Sequence, residues 1–143
     1  MRLRNLSAML LLVACIAAQN PPASKPPTTA TESKSPLVAE WRTPPHLNVN
    51  AVKGSLVVIN LTDDDFDQTV VIEAINEAGK AFTLGYQHFA LSRHATSPVI
   101  PFGTTLPPGN YTVRADAVAE VASRHAIHRT SLVASQAFVV TVI

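Results

Sequence analysis

Cysteine occurs once in the 143 residues, at Cys15, so no disulfide can form within the chain. Aromatic residues are scarce at 6%, and the apolar content is mostly Val, Ala, Leu and Ile, so any core must be aliphatic. The formal net charge is only +1 and the basic residues stand singly. Without a basic stripe and interleaved aromatics, nucleic-acid binding is excluded. No apolar run approaches the ~20 residues that a membrane-spanning helix needs. A nucleophile elbow, a glycine-rich phosphate loop, an HExxH string and framed carboxylate pairs are all missing. No enzyme, cofactor or metal ion is expected.

What the chain does have begins at Arg2 and Arg4, followed by the apolar run Leu6 to Val13, small Ala14 and Cys15. That order is a secretory signal. Leu12-Val13-Ala14-Cys15 reads as a lipobox, with cleavage before Cys15 and a covalent diacylglycerol/acyl lipid on Cys15, whose thiol carries the diacylglycerol. Cleavage after Ala18 is the alternative, because Ile16, Ala17 and Ala18 also fit an ordinary signal peptide. Ile16 in place of an aspartate after the cysteine points to the periplasmic face of the outer membrane. Loss of residues 1–14 removes Arg2 and Arg4, leaving nine basic against ten acidic residues and a net charge near −1.

Residues 15–45 read as a lipidated cysteine and a disordered tether. Seven of the eleven prolines fall between Gln19 and Pro45, and such sequence stays extended because it cannot bury enough apolar surface. Trp41, the one aromatic there, is expected to dock on the domain edge. Residues 46–143 form a single domain of short Val/Ile/Thr runs broken by turn residues. This is the pattern of an all-β, immunoglobulin-like antiparallel sandwich of about seven strands.

The strands are placed at Lys53–Leu61, Gln68–Ile75, Ala81–Leu91, Pro98–Phe102, Tyr111–Ala117, Ile127–Ala134 and Gln136–Ile143. The first is too continuously apolar for an open edge, whereas the prolines of the fourth place it at one. Tyr111, following Pro107-Pro108-Gly109, is similar to the tyrosine corner of immunoglobulin-like sandwiches. Alanine-rich Ala115–Ala126 reads as strand running into loop, with helix as the competing reading.

Asp63, Asp65 and Asp67 have the first three spacings of a calcium loop, but Gln68 and Ala74 replace its glycine and glutamate. They read as a solvated turn. The five histidines, His46, His88, His94, His125 and His128, show no metal-ligand spacing. Asn60-Leu61-Thr62 and Asn110-Tyr111-Thr112 match glycosylation sequons by coincidence.

With those residues laid out, the chain resembles the small YscW/YbaY-type lipoproteins, the pilotin family of type III secretion secretins. The resemblance rests on the lipobox and tether, on Val52-Lys53-Gly54-Ser55-Leu56 and on Thr69 to Ile75. It continues through Leu84-Gly85-Tyr86-Gln87-His88-Phe89, Ser97-Pro98-Val99-Ile100-Pro101-Phe102, Tyr111-Thr112-Val113-Arg114-Ala115 and Ile127 to Val133. It implies an outer-membrane lipoprotein that captures the carboxyl-terminal helix of a secretin subunit and aids its targeting. A groove for such a helix would draw on Phe82, Leu84, Tyr86 and Phe89 with Val99 and Phe102, residues that can equally be core. The alternative is a generic immunoglobulin-like envelope lipoprotein, an accessory or adhesin-like binding module.

Overall fold

The computed structural model describes residues 35–142. The signal sequence, Cys15 and the first part of the expected tether lie outside them. Eight strands follow in order: β1 (Leu37–Asn48), β2 (Ala51–Asn60), β3 (Phe66–Asn76), β4 (Ala81–Leu91), β5 (Ile100–Thr105), β6 (Gly109–Val121), β7 (Ala126–Val133) and β8 (Phe138–Val140). They make two antiparallel sheets, one ordered β1-β2-β5 and the other β4-β3-β6-β7, with β8 also pairing β6. This is an all-β sandwich in which consecutive strands repeatedly change sheet, the build of an immunoglobulin-like domain.

Period-two alternation produces the core. On β6 the side chains of Tyr111, Val113, Ala115, Ala117, Ala119 and Val121 are buried, and on β3 those of Phe66, Val70, Ile72 and Ala74. Both strands lie inside their sheet, flanked on each side. The continuous apolar run of β2 is explained the same way. β2 is the middle strand of its sheet, and Leu56, Val57 and Val58 are all at most 1% exposed.

Two expectations about boundaries are corrected. The tether was expected to reach Pro45, but β1 starts at Leu37 and pairs β2 from Leu37↔Asn60 to Asn48↔Ala51. Its prolines are compatible with a strand because β1 is an edge and the register slips on either side of Thr43, leaving Pro44 and Pro45 outside the matched pairs. Trp41 therefore docks as a strand residue, its ring 5.8 Å from that of Phe102. The second correction concerns the last strand, expected from Gln136 to Ile143. Among its described residues only Phe138–Val140 pairs, against Gly109, Asn110 and Tyr111.

Other local features follow their residue chemistry. Tyr111 Oη donates to Pro107 O at 2.6 Å, the corner that the sequence suggested. Strand β6 ends at Val121 and a turn leads into β7, with the Arg124 N–H donating to Val121 O at 3.1 Å. Gly85 lets the two sheets close on Phe102, while Gly54, the cross-strand partner of Phe102 in the same sheet, leaves room for its ring. A Cβ on Gly54 would stand 2.6 Å from the Phe102 ring, and one on Gly85 would stand 2.9 Å from Phe102 Cβ.

Candidate functional site

Strand β4 is an edge strand whose face changes partway along. Thr83 pairs Glu73 and Gly85 pairs Ile72, leaving Leu84 as an extra residue in β4. Such a bulge reverses the alternation. Before it, Phe82 lies opposite buried Ala74. After it, Gly85, Gln87, Phe89 and Leu91 lie opposite Ile72, Val70, Gln68 and Phe66 and face the other sheet, while Tyr86 and His88 turn outward. His88 Nε2 is 2.8 Å from Asp67 Oδ1, and its Nδ1 is 2.9 Å from the Thr69 hydroxyl.

Where the inward residues of β4 meet the approach to β5, the sandwich stays open. An apolar cleft of ≈ 260 Å³ lies there, lined by Gln87, Phe89, Ala90, Pro98, Val99, Ile100 and Pro101. The segment before it is tied to β2 by hydrogen bonds. The Ser97 N–H donates to Val58 O at 2.8 Å, Ser97 Oγ accepts from the Val58 N–H at 3.0 Å, and the same hydroxyl donates to Pro98 O at 2.8 Å. Pro98 and Pro101 lack N–H groups, so this wall presents apolar surface with few backbone donors.

The six expected groove residues do not share one surface. Leu84 and Phe102 are core, and Phe82 is half-buried with its ring edge-on to Tyr111 at 5.8 Å and Lys80 Nζ above it at 5.0 Å. Tyr86 is 59% exposed but on the outer face. Phe89 and Val99 alone reach the cleft, Val99 with 56% of its surface exposed. Gln87, Ile100 and the two prolines were missed as a set. Strict alternation from Phe82 puts Gln87 outside, and only the bulge brings it in.

The acidic turn is held by a histidine and two arginines. Asp63 pairs His94 at 2.6 Å, Asp64 pairs Arg124 at 3.3 Å and Asp65 pairs Arg93 at 3.4 Å. The Arg93 backbone N–H donates to Asp65 Oδ1, and that bond together with the guanidinium holds the Asp65 carboxyl below its ordinary range. Asn60 is fully buried beneath this turn, which places the first sequon asparagine out of reach of a glycan. Among the described residues no group of three or more His, Cys, Asp or Glu side chains could hold a metal ion.

No family model matches the chain, and no curated protein matches it. Among solved structures it is similar to Spo0M, a sporulation control protein from Bacillus subtilis, at 12% identity and TM-score 0.40, over 75% of this chain and 49% of that one. This chain therefore spans about half the length of Spo0M. It is also similar to CsgH of R. palustris at 11% identity and TM-score 0.42, over 68% and 91%. The PapD-like domain 7 of human CEP192 matches at 15% identity and TM-score 0.44, over 80% and 96%. Likenesses this remote carry no functional inference, and the fold rests on the strand pairing itself.

Proposed function

We propose that this chain is an outer-membrane lipoprotein, anchored through Cys15, that acts as a pilotin or assembly factor for a secretin subunit of a type III or related secretion system. The observation that carries the reading is the apolar cleft beside the β4 edge, which Phe89 and Val99 line together with two prolines. The cleft has room for apolar side chains but not for a helix body, which is about 10 Å across. A helix would therefore lie over the opening and place anchors one turn apart into it, with Val99 at the rim. Anchor, tether and cleft suffice for escorting a client, a task that needs no reactive group.

Replacement of the lipid-bearing thiol tests the reading. A Cys15→Ser chain leaves the sandwich folded and able to bind its client, but secretin rings no longer assemble in the outer membrane. Normal rings in that variant would count against piloting. Intact mass of the membrane-extracted protein checks the anchor independently, and an unmodified chain beginning at Gln19 would remove it.

A further inference from the structure

The free edges of the two sheets are guarded unequally. Exposed strand edges pair with any strand offered, and proteins block them with prolines, bulges or short length. β1 carries Pro44 and Pro45 and two register slips, β5 has six residues including Pro101, β4 has the bulge at Leu84, and β8 is three residues long. β7 has no proline, bulge or short length, and its guards are the outward charge of Arg129 and the packing of β1 beside it. It pairs β6 without a slip from Arg114↔Val133 to Val121↔Ala126 and contains neither proline nor glycine. Its outward side chains are Ile127, Arg129, Ser131 and Val133, with Ile127 57% and Val133 54% exposed.

We propose that β7 pairs antiparallel with β7 of a second copy of this chain, across a two-fold axis at Thr130. An axis lying between residues would set outward side chains against inward ones, so the axis must pass through a residue. Centred on Arg129, the pairing sets that cation against its own copy. Centred on Ser131, it sets Arg129 against Val133. Centred on Thr130, it sets Ile127 of each copy against Val133 of the other and Arg129 against Ser131. This register covers both exposed apolar side chains with each other, the kind of cross-strand pair that stabilises sheets.

Charge is compatible with the same register, although the Asp116 carboxylate already pairs with Arg114 of its own chain at 3.0 Å. Arg129 makes no ion pair among the described residues. Ser131 Oγ donates to Asp116 Oδ1 at 2.6 Å, so the Asp116 carboxylate lies directly behind Ser131 on β6. Across the dimer, Arg129 and Asp116 of the other copy stand two strand spacings apart, about 10 Å between backbones. An arginine and an aspartate extended toward each other span that gap. The interface is small and belongs to the weak class, so it forms where chains are concentrated, as on a shared surface. It leaves the cleft free, since β4 and β7 are opposite edges of the sheet.

Cysteine pairing in intact envelopes, with the full chain, tests this. Opposed residues of an antiparallel pair have Cα atoms ~4.5–5.5 Å apart, within disulfide range. Under mild oxidation the Thr130→Cys chain forms a disulfide-linked dimer, and the unsubstituted chain does not. Ile127→Cys and Val133→Cys chains each remain monomeric alone and form a mixed dimer when expressed together. Adding Ile127→Asp to Thr130→Cys removes the dimer, while circular dichroism of the purified chain stays that of a β-sandwich because residue 127 is exposed. A monomeric Thr130→Cys chain overturns the proposal. So does self-linkage of Ile127→Cys as ready as the mixed linkage, a dimer that survives Ile127→Asp, or a disulfide to a different protein.

Discussion

Asn60 shows how one buried amide ties distant parts of the chain together. Its Nδ2 donates to Asp64 O at 2.8 Å, Ser92 O at 3.1 Å and Leu91 O at 3.3 Å, while its Oδ1 accepts from the Thr62 N–H at 2.9 Å and the Thr62 hydroxyl at 2.7 Å. Asn60→Ala strands several of these groups in a buried place, and it is expected to cost about 3 kcal/mol in urea unfolding; a loss within ~0.5 kcal/mol would show that water replaces the amide. Nothing local announced this role, because two of its partners lie 31 and 32 residues away, and the sequence around it spelled a sequon. Tyr111 was the opposite case, since its partner Pro107 sits four residues back and the turn chemistry between them is explicit. Asp65 supplies a pH test. Its carboxyl is held below the ordinary 3.8 in the folded chain, so it favours folding above that range and loses the contribution as pH falls through it. The pair is exposed and screened by salt, so the effect is small. The stability advantage of the unsubstituted chain over Asp65→Asn shrinks as pH falls through 3.8 and below, and an advantage unchanged by acid would contradict the assignment.

At the scale of elements, β4 is where reading a strand and reading its faces diverge. The limits Ala81–Leu91 were legible from composition and flanking turns, and the structure has the same limits. Which side chains point where was not legible, because the bulge at Leu84 depends on how β4 sits against β3. The consequence falls on the candidate site, which keeps Phe89 and Val99, loses Tyr86 to the outer face and gains Gln87. The close approach at Gly85 fixes this geometry. A methyl group there would stand 2.9 Å from Phe102 Cβ and 3.3 Å from Ile72 Cδ1, so Gly85→Ala is expected to cost about 1–3 kcal/mol by overpacking. Thermal unfolding measures that cost, and a neutral result would mean that the sheets part more easily at this edge than Phe102 packing implies. β1 was illegible for a different reason. Its prolines and polar residues match tether composition, and only pairing with β2 reveals that an edge strand tolerates them at its slips.

For the whole molecule, the class of fold was legible because alternation and turn chemistry recur along most of residues 46–143, and both sheets bear out that pattern. Function was less so, since a sandwich of this kind is a scaffold whose use depends on what its edges meet. On the present account the β4 side holds the client and the lipid at Cys15 holds the membrane. Site-specific photocrosslinking in intact envelopes tests this most directly, with the reactive group at Val99 on the cleft rim and, as comparison, at Tyr86 on the outer face. The account predicts an adduct from position 99 to the carboxyl-terminal segment of a secretin subunit and none from position 86. An adduct from position 86 alone, or no secretin at position 99, would contradict it.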